Sequence, residues 1–221
     1  MTFHGLANRQ LLFSGEKFSI LSESECLDIL RAQRKARGMT KDDPDAGDFL
    51  KVISRAANTD KPVSEIAAML NLDAALYAGM AEEYAATKRD LLACDYDDVL
   101  IRYRDKLRTD DTFRERQQNR FAYIMVDEYQ DTNPIQSQIM RLLADDRQNV
   151  MAVGDDFQSI YAFRGADISN ILTFTTLFPR AVRYDLTENF RSRAPIIAAA
   201  NRLISHATEK IEKTLTTTRG D

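Results

Sequence analysis

The sequence contains little cysteine, no tryptophan and no long apolar run, and each absence excludes something. Among its 221 residues are two cysteines, Cys26 and Cys94. Two thiols are too few for a disulfide framework or a metal cage, and they are typical of buried side chains in a reducing cytoplasm. No apolar run reaches the length of a membrane span, and no signal peptide is visible. Without tryptophan, any stacking on a planar base has to use phenylalanine, tyrosine or histidine.

The chain also lacks a large net charge. Its 34 acidic and 30 basic residues give a net charge of −4, which argues against a broadly basic surface. A local basic groove remains compatible with this value, because binding depends on where the charge lies. A hydrophobic content of 44% and a charged content of 29% are those of a folded globular protein with one or two domains.

A glycine followed by lysine is absent as well. The phosphate-binding loop G-x-x-x-x-G-K-[ST] holds phosphates with backbone amides and a lysine. The residues that follow the eight glycines are Leu6, Glu16, Met39, Asp48, Met80, Asp155, Ala166 and Asp221. The sequence therefore does not contain this loop.

Two short apolar runs that end in acidic residues stand out in what the chain does contain. Residues 121–126 lead into Asp127 and Glu128, and residues 150–153 lead into Asp155 through a glycine that permits a tight turn. Apolar runs with little alternation predict strands buried on both faces, in a parallel sheet covered by helices. Ligands of such sheets gather beyond the carboxyl ends of the strands, where these acids stand.

A carboxylate pair at a strand end has several interpretations. In nucleotide chemistry, Asp127 would hold Mg²⁺ and Glu128 would orient or deprotonate the attacking water. The plainer interpretation is a solvated strand end, which fits most Asp-Glu dipeptides. A third interpretation is a metal-dependent nuclease, since two-metal sites need clustered acids. The acids available for it are Asp127, Glu128, Asp131, Asp155 and Asp156.

Longer stretches around these acids resemble a known family. VDEYQDTN at 126–133, GDDFQSIYAFRGAD at 154–167 and LTENFRS at 186–192 resemble motifs II, III and IV of the UvrD/Rep/PcrA-like superfamily 1 DNA helicases. TFHGLANRQLL at 2–12 and DYDDVL at 95–100 are weaker matches. The resemblance implies an ATP-dependent helicase that uses ATP and Mg²⁺, moves 3′ to 5′ on single-stranded DNA and serves DNA replication or repair.

The resemblance also implies a role for individual residues near the nucleotide. These residues are Asp127, Glu128, Gln158, Arg164, Phe190 and Arg191. Gln158 would sense the γ-phosphate, because a neutral amide can donate a hydrogen bond to a phosphate oxygen. Arg191 would meet the same phosphate as a fixed cation, and Phe190 would lie against the adenine. Arg164 would bridge the loop of motif III to the nucleotide.

On the DNA side, the resemblance implies two groups of contacts. Thr2, Phe3 and His4 of the TFH motif would bind single-stranded DNA, and Tyr161 and Phe163 would stack on bases. The family usually has tryptophan at the second stacking position, so Phe163 would offer a smaller platform. The alternative is structural: Phe3 in the core at a strand end, and Tyr161 and Phe163 in core packing.

The fold class expected from the resemblance is α/β, with a partial RecA-like parallel sheet flanked by helices and an inserted all-helical subdomain. The expected domains are 1–20 as an N-terminal piece of motor domain 1A, 21–92 as a helical 1B-like insertion, 93–179 as the rest of 1A, and 180–221 as the start of motor domain 2A. Within the last two we expect a helix at 166–178, a strand at 181–186 and a loose polar tail from 209.

The missing phosphate loop leads to a functional expectation. This chain alone should bind ATP very weakly and should not unwind DNA. The alternative is a non-catalytic module, derived from a helicase, that binds single-stranded DNA or protein. An incomplete sheet leaves strand edges open, which predicts some self-association.

Overall fold

The computed structural model describes residues 1–161 and 165–220 as an α/β protein dominated by helices. The helices are α1 (Phe3–Phe13), α2 (Glu23–Ala36), α3 (Ala46–Thr59), α4 (Val63–Met69), α5 (Ala74–Asp90), α6 (Tyr96–Thr109), α7 (Asp111–Arg120), α8 (Pro134–Ala144), α9 (Ser169–Leu172), α10 (Phe174–Leu177) and α11 (Ala194–Ile204). The strands are β1 (Ser19–Ile20), β2 (Ala93–Cys94), β3 (Ile124–Val126) and β4 (Val150–Ala152). β1 pairs with β2 and β3 with β4, both in parallel.

Helix starts are fixed by side chains that satisfy the first backbone amides. The S-x-x-E pattern at Ser22 predicts a capping box, and the structure confirms it: the Ser22 amide donates to Glu25 Oε2 at 2.7 Å and Ser22 Oγ accepts from the Glu25 amide. Asp45, Asp95 and Asn133 form the same arrangement at α3, α6 and α8.

Helices α2 to α5 pack around one apolar core, whose largest members include Leu30, Phe49, Met80 and Tyr84. Four basic residues at the end of α2 and directly after it form a stripe: Arg31, Arg34, Lys35 and Arg37. Arg31 pairs with Asp28 of α2, and Arg37, which caps the end of α2, pairs with Glu83 of α5. The stripe therefore joins neighbouring turns and helices.

A second core joins α1, α6, α7 and α8, with Leu11, Tyr103, Leu107 and Ile139 at its centre. It lies under β3, because Ile124 packs against it as well as against the third, smaller core around Tyr129 and Phe178. The inner faces of β3 and β4 thus pack on these two cores.

The pair β3–β4 confirms the predicted parallel arrangement, but the predicted burial on both faces is wrong. Ile124 and Val126 face the helices, whereas Met125 is 74% exposed and its neighbour Met151 is 56% exposed. Successive side chains of a strand point to opposite faces, and within the described residues the helices cover only one of them. The outer face is apolar and open.

Residues 166–186 differ from expectation in two ways. The helix predicted at 166–178 is split into α9 and α10 at Thr173, where β-branched threonines weaken helix propensity. The strand predicted at 181–186 is absent from the described chain: Val182 and Tyr184 are exposed, and Leu186 is 91% exposed. A strand needs a paired neighbour to be stable, and this segment has none in the described residues.

The tail is ordered by hydrogen bonds, so the prediction of a loose segment from 209 is wrong. The Thr216 amide donates to the Thr187 carbonyl at 2.9 Å, and the Asn189 amide donates to the Thr216 carbonyl at 2.7 Å. We call residues 211–219 the C-terminal strap. The backbone of the strap thus supplies hydrogen-bond partners for the backbone of motif IV.

Both cysteines are free and buried, as predicted. Burial raises the pKa of the Cys94 thiol to about 11, so this side chain is protonated near neutral pH. Across residues 1–161 and 165–220, no helix combines the length and apolarity that crossing a membrane requires.

Candidate functional site

Asp127 and Glu128 lie at the carboxyl end of β3, where the sequence predicts them, and both are exposed. Glu128 adopts left-handed backbone geometry with φ +52°, and its amide donates to Asp127 Oδ1 at 3.0 Å. A non-glycine residue rarely adopts this conformation, which is common at functional sites. The bend ends the strand and places two carboxylates side by side at its rim.

A buried amide, Gln130, connects the two strand ends. Gln130 Nε2 donates to Glu128 Oε2 at 2.7 Å, and Gln130 Oε1 accepts from the Asp155 amide at 2.9 Å. Because Gln130 is 1% exposed, these bonds form in a medium where an unmatched amide would be costly. Motif II is thereby joined to motif III, and sequence reasoning assigned Gln130 no role.

Gly154 makes room for this amide rather than providing a special turn. Its φ lies outside the left-handed region, so conformational freedom does not explain it. A Cβ at position 154 would lie 2.6 Å from Gln130 Oε1 and 2.8 Å from Ile171 Cδ1. Only glycine allows β4 to end this close to Gln130.

Asp155 orients Gln158. Its Oδ2 accepts from Gln158 Nε2 at 2.8 Å, and its Oδ1 accepts from Lys213 Nζ at 2.7 Å. Burial raises the pKa of the Asp155 carboxyl, but the hydrogen bonds from Lys213 and Gln158 outweigh it and leave this pKa below its ordinary value. The carboxylate is therefore charged at neutral pH and holds an otherwise exposed glutamine in place.

Asp156 is buried, and both of its carboxylate oxygens accept hydrogen bonds from within the protein. Its two oxygens accept from Lys213 Nζ at 2.7 Å and from the Ile211 amide at 2.6 Å. In the described part of the chain, no three acidic, histidine or cysteine side chains are grouped so as to hold a metal ion. Asp155 and Asp156, two of the acids available to a nuclease, both accept hydrogen bonds from Lys213 instead.

Motif IV presents its two candidate residues to solvent. Phe190 is 69% exposed, and Arg191 is exposed with its amide bonded to Asn189 Oδ1 at 3.0 Å. Arg219 Nη1 donates to the carbonyls of Phe190 and Arg191 at 3.2 and 3.0 Å. Backbone position is thus fixed while both side chains stay accessible.

The TFH residues begin a helix instead of ending a strand. Thr2 caps α1, its Oγ1 accepting from the Gly5 amide at 3.1 Å, and Phe3 packs on the second core. The His4 ring meets the Tyr96 ring edge to face at 5.8 Å, and burial lowers the pKa of His4. At neutral pH this imidazole is a neutral hydrogen-bonding group.

Tyr161, the last described residue before position 165, is 37% exposed. Phe163 and Arg164, assigned to DNA and nucleotide from the sequence, lie outside the described residues. A Cβ at Gly165 would lie 2.7 Å from Asn58 Cβ, so Gly165 lies directly against α3. Direct contacts thus link motif II with motif III, the C-terminal strap links motif III with motif IV, and His4 of the TFH residues meets Tyr96.

Fold and site together define an α/β protein with acidic and amide side chains at the ends of two adjacent parallel strands. The chain belongs to the UvrD/REP helicase family: the profile of the UvrD/REP helicase N-terminal domain matches residues 1–179.

Curated relatives agree with this assignment. The chain is 35% identical over 228 residues to the ATP-dependent DNA helicase PcrA of Leuconostoc citreum, covering 99% of this chain and 30% of that protein. The chain is 33% identical over 226 residues to PcrA of Bacillus subtilis (strain 168), covering 98% of this chain and 30% of that protein. It is 40% identical over 144 residues to PcrA of Staphylococcus aureus (strain Mu50), covering 65% of this chain and 19% of that protein. The chain spans less than a third of the length of these relatives.

Proposed function

We propose that this chain is a segment of an ATP-dependent helicase that couples ATP hydrolysis to 3′ to 5′ movement on single-stranded DNA. Its parts are a partial RecA-like motor domain 1A at 1–20 and 93–179, a 1B-like helical insertion at 21–92 and the start of motor domain 2A at 180–221. Family membership supports the class of activity, and the helical core of α2 to α5 supports a separate helical insertion.

One observation carries the proposal: the chain of contacts from Glu128 through Gln130 and Asp155 to Gln158. Catalysis of phosphoryl transfer rests mainly on positioning and electrostatics. A base and a phosphate sensor joined by a buried amide are positioned together. A solvated strand end has no need of such a connection.

Asp127 has the features of a Mg²⁺ ligand. Mg²⁺ is commonly held by one or two carboxylates together with substrate phosphates, and Asp127 is an exposed carboxylate at the strand end. When bound, the metal would neutralise phosphate charge. Glu128 would accept the proton of the attacking water, and Arg191 would meet the γ-phosphate while Phe190 covers the adenine. Arg164 completes this proposed nucleotide site.

For DNA, we assign the TFH residues Thr2, Phe3 and His4 and the stacking residues Tyr161 and Phe163. Thr2 and His4 offer a hydroxyl and a neutral imidazole to phosphates, although each already has a partner within the fold. Stacking tolerates any base, because every base has a π-face. The proposed motor therefore binds single strands without strong sequence preference.

The isolated 221 residues should lack helicase activity, since they contain no phosphate-binding loop. The competing function is a non-catalytic single-stranded DNA-binding module. Both functions predict DNA binding through Tyr161 and no ATP hydrolysis by this chain alone. They differ in whether the whole protein uses ATP.

Fluorescence anisotropy with a labelled oligothymidine tests the proposal. Tyr161→Ala should weaken binding by about 5- to 100-fold, from the usual contribution of one base stack. The control is Tyr184→Ala, which removes a more exposed tyrosine (83% against 37%) outside the motifs and should leave the affinity unchanged.

A steady-state assay should show no DNA-stimulated ATP hydrolysis by the 221 residues. Robust hydrolysis would contradict the inactivity of this segment. Failure to bind single-stranded DNA, in protein shown to be folded by circular dichroism, would contradict the DNA assignment.

A further inference from the structure

The C-terminal strap places a buried cation between two acids of motif III. Lys213 Nζ lies 2.7 Å from Asp155 Oδ1 and 2.7 Å from Asp156 Oδ1, and its side chain is 13% exposed. The ammonium also lies 4.2 Å from the centre of the Phe157 ring. Burial lowers the pKa of Lys213, but the two carboxylates outweigh it and raise this pKa above its ordinary value.

The position of this cation reduces the repulsion between the neighbouring carboxylates of Asp155 and Asp156. Adjacent carboxylates at residues 155 and 156 repel one another and would repel a polyphosphate approaching Gln158. Lys213 contributes a positive charge to both at hydrogen-bond distance, and charge-assisted hydrogen bonds are the strong ones. The loop can therefore keep its acids next to a phosphate sensor.

The two oxygens of Asp155 have different partners. Oδ1 accepts from Lys213, and Oδ2 accepts from Gln158 at 2.8 Å. The lysine thus fixes the rotation of the carboxylate that holds the amide. We propose that Lys213 is a positioning residue for Gln158, acting through Asp155 to aim the second N–H of this amide at the γ-phosphate. This inference rests on the role of Gln158 proposed above.

The strap continues from Lys213 into motif IV. Thr216 exchanges backbone hydrogen bonds with Thr187 and Asn189, and Arg219 holds the carbonyls of Phe190 and Arg191. One segment of nine residues therefore holds the sensor amide at one end and the backbone of the arginine at the other. The strap that carries Lys213 therefore connects Gln158 and Arg191, the two proposed contacts to the γ-phosphate.

Nuclear magnetic resonance of the full 221-residue chain tests the assignment without ATP or DNA. The side-chain NH₂ signals of Gln158 report its bond to Asp155, and backbone amide exchange at 156–159 reports the order of the loop. Lys213→Ala should shift the Gln158 signals and speed exchange in the loop about tenfold or more, because a charge-assisted bond is lost.

The matched control is Lys210→Ala, which removes a lysine of the same tail that bonds to the carbonyls of Ile204 and Ser205. It should leave the Gln158 signals in place. Lys213→Arg should largely restore them, because arginine keeps the charge and can bond two carboxylates. If Lys213→Ala unfolds the chain, Lys213→Gln, which keeps the stem without the charge, is measured in its place and should shift the signals in the same direction.

Unchanged Gln158 signals and loop exchange in the folded variant would overturn the assignment, as would an equal effect of Lys210→Ala. Because neither readout involves a ligand, such a result leaves the proposed function standing. Failure to bind single-stranded DNA would count against that function while leaving the role of Lys213 in the loop intact.

Discussion

A buried amide next to a glycine sets the geometry where β3 and β4 end. Gln130 occupies space that any side chain at position 154 would take, and it hydrogen-bonds to both strand ends. Neither residue is charged or nucleophilic, yet both determine the separation between Glu128 and Asp155. At this scale the site depends on volume as much as on charge.

Gly154→Ala should therefore destabilise the chain. The added methyl would meet Gln130 Oε1 at 2.6 Å, and overpacking of this kind costs about 1–3 kcal/mol. Urea unfolding measures the change. Gly220→Ala is the control, since a Cβ there meets no heavy atom within 4 Å, and equal stability of the two variants would contradict the crowding argument.

Sequence patterns predicted the exposed acids and missed the residues that position them. Asp127 and Glu128 could be placed because an apolar run ends directly before them. Gln130 and Lys213 act through partners 25 and 58 residues away, and no local pattern specifies such a partner. A polar residue inside an otherwise recognisable motif was the available signal for Gln130; Lys213 gave none.

At the scale of elements, local signals were more reliable than those that depend on a distant partner. A capping residue acts within one turn, so the helix start at Ser22 could be predicted directly. β1 and β2 are two residues each and are defined only by pairing with one another. The segment at 181–186 has strand composition without a partner in the described chain, which is why composition alone misled.

The junction between α5 and α6 contains a buried charge cluster that composition did not reveal. Lys88 Nζ lies 2.6 Å from Asp95 Oδ2 and 2.6 Å from Asp98 Oδ2, and the Tyr84 hydroxyl donates to the same Asp95 oxygen. Burial and the nearby Asp95 raise the pKa of Tyr84, which keeps this hydroxyl protonated.

Lys88→Met should destabilise the chain by about 3–5 kcal/mol, because removing one partner leaves buried carboxylates uncompensated. Thermal or urea unfolding gives the value. The control is Lys51→Met, which breaks an exposed pair with Asp48 and should change stability by less than about 0.5 kcal/mol. Similar losses of unfolding free energy in the two variants would show that burial of the ion pair does not determine how much its removal destabilises the chain.

For the whole molecule, the open face of the β3–β4 sheet is the main liability. Met125 and Met151 are exposed on the two adjacent strands, and Tyr123 and Val153 are exposed directly beside them. Contiguous apolar patches mark interaction or aggregation sites, and two-stranded edges invite pairing. Self-association through this face stays a prediction.

Met125→Lys should reduce self-association. Light scattering over a concentration series should show the unaltered chain growing beyond the mass of one chain, and the variant should stay smaller at equal concentration. Met69→Lys adds the same charge at an exposed position on α4 and should not change the association. A monomeric unaltered chain at all concentrations would refute this expectation.

Asn58 lies where three parts of the molecule meet. Its amide donates to Asp97 at the start of α6, its carbonyl oxygen accepts from Asn133 at the start of α8, and Gly165 abuts its Cβ. A tilt of α3 would therefore change the contacts of Asn58 with Asp97, Asn133 and Gly165 at the same time. Asp60, the residue that caps α3, adds bonds from Arg104 of α6 and Gln138 of α8. A displacement of this end of α3 would therefore disturb the starts of two helices and Gly165 together.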